Sequence, residues 1–147
     1  MSDSETGCDF TANFKERSRL KRLADLVFEC GMLRKTPRSG YQFLGSGKEN
    51  VAEHSFRTAV IAYILAEMAG ADSSRAALLA LFHDVHEART GDFNYVNRRY
   101  NSSERTVALG DTLLGTGLEE QLLGMWEELE ATESVEARLA QDADQID

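Results

Sequence analysis

The stretch Ala80-Leu81-Phe82-His83-Asp84-Val85-His86-Glu87-Ala88-Arg89-Thr90-Gly91-Asp92 carries the reading of this chain. An apolar helical run from Leu78 to Phe82 leads into a histidine and two carboxylates. At about 3.6 residues per turn, His83, Asp84 and Glu87 share one face. Imidazole nitrogen and carboxylate oxygen together suit a divalent cation such as Mn, Fe, Co, Ni or Zn. Adjacent helical residues point about 100° apart, so His83 and Asp84 meet on one ion only if other helices supply further ligands.

Upstream, Asn50-Val51-Ala52-Glu53 fits a capping box and starts a helix with His54 in its first turn. Ile61, Ile64, Leu65 and Met68 form its apolar stripe and Gly70 ends it. His54 lies two turns before Ile61 on nearly the same face, where a lone histidine is ordinarily a packed core residue. Asp72 or Ser73 caps the next helix, which carries His83, Asp84 and Glu87 to Thr90-Gly91. An earlier helix has the stripe Leu20, Leu23, Val27, Cys30 and stops at Gly31.

Between these helices the chain breaks into a Pro/Gly-punctuated loop holding Arg34, Lys35, Arg38 and Lys48, and such a loop can turn those cations inward. Downstream, a fourth helix spans roughly 103 to 114 and stops at Gly115-Thr116-Gly117. A fifth spans 118 to about 131, with Leu122, Leu123, Trp126 and Leu129 inside and Glu127, Glu128 and Glu130 as its wet face. The last begins near Ser134 and carries Val135, Leu139, Ala143 and Ile146 at helical spacing. A carboxylate in such a stripe needs a partner, and Asp144 is the best placed of Asp142, Asp144 and Asp147 to face inward.

The 147 residues suit one domain, residues 1–147, with 1–12 as a frayed tail. One proline and few β-branched runs point to an all-α fold. A net charge of −9 argues against a nucleic-acid polymer as partner, while a small phosphorylated ligand remains compatible with local positive charge. Cys8 and Cys30 have no metal-ligand or disulfide spacing, which fits a reducing, cytoplasmic setting. The longest apolar run, Ala59 to Ala66, is too short for a bilayer, so no membrane is expected.

The ordered set His54, His83-Asp84, Asp144 resembles the H…HD…D signature of the HD-domain metal-dependent phosphohydrolases. More narrowly, Glu49-Asn50-Val51-Ala52-Glu53-His54-Ser55, His83-Asp84-x-x-Glu87-x-x-x-Gly91-Asp92 and Trp126-Glu127-Glu128-x-Glu130 look like its 5′-deoxynucleotidase branch. The resemblance runs from about residue 18 to the end. It implies an all-α HD fold of about six helices around one metal site. His54, His83, Asp84 and Asp144 would hold one divalent ion (Mn, Co, Mg, Fe, Ni or Zn), and metal-activated water would remove the 5′-phosphate of a (deoxy)nucleoside monophosphate.

In that resemblance Glu87 orients the water or accepts its proton, Asp92 assists the leaving 5′ oxygen or holds the sugar, and Arg38 contacts phosphate. Two-metal HD proteins need more histidines than this chain supplies, and His86 receives a surface or helix-packing role. Bacterial relatives carry a tryptophan beside the phosphate-binding arginine, where this chain has Ser39, Gly40 and Tyr41. The family also implies a homodimer, with an apolar face on the fourth or fifth helix as interface. Its members continue with a further helix, so the C-terminus reads as truncated, with Asp144 on a frayed end. The alternatives are a non-catalytic nucleotide-binding HD module and a hydrolase of another phosphorylated small molecule such as an alarmone; Ala88 after Glu87 weakens the alarmone reading.

Overall fold

Asn50 starts the helix on which the fold is built. Its side chain accepts a hydrogen bond from the Glu53 N–H at 3.0 Å, and the Glu53 carboxylate accepts from the Asn50 N–H at 3.3 Å, closing the capping box. The computed structural model describes the backbone of residues 10–147 and the side chains from Lys15 onward. Its helices are α1 (Phe10–Met32), α2 (Val51–Ala69), α3 (Ser73–Phe82), the single turn α4 (Glu87–Thr90), α5 (Arg105–Leu113), α6 (Glu119–Ala131) and α7 (Val135–Ile146). Two 3-10 turns, Ser39–Phe43 and Asn97–Arg99, interrupt the loops. Among the described residues there is no strand, only an isolated bridge between Pro37 and Asn50. The architecture is the all-α one expected, with six helices of nine residues or more.

Helix α2 packs against α3 and α7 through small residues. Ala62 and Ala66 of α2, Ala76 and Ala80 of α3, and Ala137, Ala140 and Ala143 of α7 are all buried in one cluster with Leu79, Met125 and Leu129. Side-chain size at a helix contact sets the distance between axes, so alanine brings these three helices close. That corrects the expected stripe of α2: Ile64 and Met68 are exposed, at 50% and 80%, while Ile61 and Leu65 only flank the cluster. The same holds for α7, where Val135 and Ile146 face outward and Ala137, Ala140 and Ala143 face in.

Three further expectations are corrected. Helix α1 begins at Phe10, inside the stretch read as a tail, and runs through Gly31 to Met32; residues 1–9, with Cys8, lie outside the described residues. The buried apolar positions are Leu26 within it and Leu33 just past its end, rather than Leu20 and Val27, because it touches the body along one edge. There Arg19 and Arg22 donate to the carbonyl oxygens of Thr116 and Leu114 at 2.9 and 2.7 Å. A Cβ on Gly117, whose φ is 76°, would stand 2.8 Å from the Arg19 Nε. Glu128 is not on a wet face: it is half-buried, paired with Arg75 and accepting from Ser134 Oγ.

Exposed large apolar side chains are most numerous on α1 and α2, including Val27, Phe28, Phe56, Val60, Ile64 and Met68. No helix among the described residues is long and apolar enough to cross a membrane.

Candidate metal centre

Asp72 caps α3 by accepting from the Arg75 N–H at 2.9 Å, but the helix does not continue to Gly91. It ends at Phe82, and the backbone then makes three-residue steps, Glu87 N–H to Asp84 O at 2.9 Å and Ala88 N–H to Val85 O at 3.2 Å. In such tight turns residues i and i+3 eclipse, so Glu87 lines up with Asp84 rather than with His83. The shared face expected of a continuous helix is therefore replaced by a corner. His83 and Asp84 stand at its inner edge and Glu87 one step beyond.

At that corner four donor atoms converge from three helices. His54 Nε2 of α2 lies 3.3 Å from His83 Nε2, 2.9 Å from Asp144 Oδ1 of α7 and 3.6 Å from Asp84 Oδ2. His83 Nε2 lies 2.9 Å from Asp84 Oδ2 and 3.5 Å from Asp144 Oδ1. Bonds of about 2.1 Å to one cation separate neighbouring ligands by roughly 3.0 Å in an octahedron and 3.4 Å in a tetrahedron. His54, His83 and Asp144 lie mutually close enough to share one ion, and Asp84 Oδ2 adjoins that group through the two histidines.

The outer nitrogens agree with that use. His54 Nδ1 faces Asp147 Oδ2 at 2.7 Å, and His83 Nδ1 faces the Ala80 carbonyl oxygen at 2.6 Å. Both partners are acceptors, so each Nδ1 donates, and with a cation bound each ring would turn an Nε2 lone pair toward the cluster. Burial alone would lower the His83 pKa, but Asp84 and Asp144 outweigh it and push it up to about 10. Without a cation, those carboxylates retain a proton where a positive charge is wanted. Burial likewise raises both acids, and His83 for Asp84, and His54 and His83 for Asp144, outweigh it and hold the carboxyls below their usual range.

Access is one-sided. The side chains of His54, His83 and Asp84 are 0%, 10% and 13% exposed, whereas that of Asp144 is 42% exposed. Asp144 borders a cleft of about 430 Å³ with Arg38, Tyr41, Asp92, Asn94 and Arg98, and a second of about 230 Å³ with His83, Asp84, Arg98 and Arg105. Of the four loop cations expected to turn inward, only Arg38 reaches this wall. Arg34 instead donates to the Gly31 carbonyl at 3.2 Å, and Lys35 and Lys48 are exposed.

Glu87 is buried, and its Oε2 has no hydrogen-bond partner. Burial first, then repulsion from Asp84 and Asp92, pushes its carboxyl up to about 9. Asp92 also borders the larger cleft, and its Oδ2 accepts from the Ser39 N–H at 2.6 Å and Oγ at 3.2 Å, tethering the Arg38 loop. His86 takes the packing alternative, not the surface one. It is buried, its ring centroid lies 4.9 Å from that of Trp126, and burial lowers its pKa to about 4.

Sequence reasoning missed the support behind His54. The Asp147 side chain is 4% exposed, and Arg57 binds it through Nε at 2.5 Å while also pairing with buried Glu49. The signal was available as spacing: Asp147 follows Asp144, and Arg57 follows His54, by three residues, one helical face in each case. Arg98 and Arg105 were missed too, since nothing in the spacing of a loop says which cleft it borders.

A family model described as the HD domain matches residues 30–147. The chain belongs to the HD domain family. It is 29% identical over 133 residues to bovine 5′-deoxynucleotidase HDDC2, covering 86% of this chain and 64% of that protein. The Xenopus laevis protein of the same name is 30% identical over 86% of this chain and 66% of its own length. The chain thus spans a little under two thirds of these curated relatives. A shorter match, 38% over 60 residues, joins it to 5′-deoxynucleotidase YfbR of Escherichia coli O1:K1 / APEC, covering 37% of this chain and 30% of that one. Among solved structures, a conserved hypothetical protein from Pyrococcus furiosus superposes with a TM-score of 0.74 at 30% identity, over 84% of this chain and 76% of that one. The matched span contains His54, His83-Asp84 and Asp144.

Proposed function

We propose that this HD domain is a metal-dependent phosphohydrolase that removes the 5′-phosphate from (deoxy)nucleoside monophosphates. The observation that carries the reading is the convergence of His54, His83, Asp84 and Asp144 beside a cleft bordered by Arg38. The relatives named 5′-deoxynucleotidase support it. In this reading those four residues hold one divalent ion of the Mn, Co, Mg, Fe, Ni or Zn group. When bound, such an ion polarises a phosphoryl oxygen and lowers the pKa of a neighbouring water.

The chain's own residues do the rest. Arg38 grips the phosphate with its planar fork. Burial first, and repulsion from Asp84 and Asp92 second, favour a protonated Glu87; positive charge at the cluster would offset that repulsion and favour the carboxylate that orients water and accepts a proton. Asp92 holds the Arg38 loop through Ser39 and stands where it can meet the sugar or the leaving 5′ oxygen. Tyr41, Phe93 and Tyr95 of the same cleft offer faces for a base to stack on. A homodimer is part of the proposal, with the exposed apolar stripe of α2 as the larger candidate face beside α5 and α6. So are a single-domain organisation and a cytoplasmic setting.

The test is phosphate release from a panel of deoxy- and ribonucleoside 5′-monophosphates by metal-stripped protein resupplied with Mn, Co or Mg. A His83→Ala variant is measured alongside. Release that requires metal and vanishes in the variant is expected. Folded protein that releases none with any metal would sink the reading.

A further inference from the structure

We propose that Arg98 is the second arm of a two-arginine phosphate clamp, sharing with Arg38 the loop wall of one cleft, with the loops of both arms joined by Asn94. The inference rests on the phosphohydrolase reading and names a binding residue that the motif resemblance does not contain.

Three observations carry it. First, Arg98 borders both clefts that Asp144 borders, and also the adjoining one of about 270 Å³ that contains Glu87 and Arg105. It therefore stands at the junction of the spaces around the open side of the ligand cluster. Second, neither the Arg38 nor the Arg98 guanidinium has a hydrogen-bond or ion-pair partner among the described residues, although the chain has nine more acidic than basic side chains. Some other arginines find partners, Arg57 in Asp147 and Glu49, Arg89 in Glu29, and Arg105 in Glu130 while lying over Trp126, and of those without one only Arg38 and Arg98 border this cleft. Two unpaired forks on one cleft suit an incoming dianion with three terminal oxygens, too many for a single guanidinium to bind.

Third, one buried residue ties the two arms together. Asn94 Oδ1 accepts from the N–H groups of Val96 and Asn97, both at 3.0 Å, and so folds the 3-10 turn Asn97–Arg99 that presents Arg98. Its Nδ2 donates to the Ser39 carbonyl oxygen at 3.4 Å, beside Arg38. Asn94 is 7% exposed, so these bonds are shielded from water. The two backbone segments that carry the guanidinium forks are thereby joined by a residue that need not touch substrate itself.

The experiment uses the Mn-loaded full chain, with inorganic phosphate as the calorimetric probe and a nucleoside 5′-monophosphate as substrate. Arg98→Gln should weaken phosphate binding and raise KM by about 10- to 100-fold, the size of a lost charge-assisted contact. Arg98→Lys should recover part of the loss, and Lys35→Gln, an exposed cation away from the clefts, should change neither. Asn94→Ala should weaken phosphate binding as well, with kcat falling beside the rise in KM because both arms shift.

Unchanged phosphate affinity and KM in a folded Arg98→Gln protein would overturn the clamp, as would wild-type protein that binds no phosphate at millimolar concentration. The two readings fail separately. Protein that binds phosphate through Arg98 but releases none from nucleotides keeps the clamp and loses the hydrolase, whereas release with normal KM in Arg98→Gln does the reverse.

Discussion

Two walls enclose the open side of the ligand cluster, and they are built differently. One is helical: His54, His83-Asp84 and Asp144 are carried by α2, the end of α3 and α7, three helices locked by a shared alanine core. The other is made of loops, Arg38–Phe43 and Gly91–Arg99, held together by the Asp92–Ser39 and Asn94–Ser39 hydrogen bonds. A site that must hold four atoms to within tenths of an ångström is placed on rigid elements. The part that must admit and release a ligand is tethered by a few replaceable bonds.

The largest separation between the walls should appear in pH dependence. In metal-free protein the His83 pKa is raised to about 10, above its unfolded value near 6.5. The stability it contributes is full below about 6.5 and is lost as pH rises through about 10. Glu87, raised to about 9, acts with the same sign. Melting temperature without metal should therefore fall from neutral to alkaline pH. Because a cation displaces the His83 proton, its apparent affinity should rise about tenfold per unit across that window. Thermal scans and metal titrations at several pH values check this, and a flat metal-free profile would contradict it.

A somewhat smaller effect isolates the helical wall from behind. Asp147→Asn removes the carboxylate that orients His54 and should weaken metal binding about 10- to 100-fold. Asp147→Glu should restore part of it. Loss of phosphate affinity at unchanged metal affinity would mean that the two walls are not separable in this way.

The converse substitution is Asp92→Ala, which frees Ser39 and hence the Arg38 loop. Metal affinity, read by competition with a chelating dye, should stay within about threefold of wild type. KM should rise about tenfold, the loss of a hydrogen bond to a charged acceptor. Equal losses in both would show that Asp92 reaches the helical wall. The smallest effect is expected at Asn50→Ala, which removes the α2 cap and should cost about 1 kcal/mol in denaturant unfolding with little change in KM.

The helical wall was legible in the sequence and the loop wall largely was not. The Asn50/Glu53 box, Asp72 as one of the two candidate caps of α3, and the Gly70 stop are local chemistry, decided by neighbours three or four residues away, and each is present. The motif residues could be named because each occupies a distinctive local pattern. Orientation was harder. Stripes chosen by hydrophobicity placed Ile64, Met68, Val135 and Ile146 inward, whereas the close α2–α3–α7 packing selected alanines and left the larger side chains outside.

What the sequence by itself determined is the six main helices, the cap and stop of α2, the family and the donor types of the HD corner, since these depend on short-range spacing and on the donor atoms each residue brings. What only the tertiary structure decided is the partnership between distant segments: α3 breaking at Phe82 so that Glu87 eclipses Asp84, Asp147 reaching back 93 residues to His54, Asn94 joining the loops of Arg38 and Arg98. Those pairings are set by how helices approach and where loops are pulled. That geometry follows from the packing of the whole core and leaves no period in the chain to read.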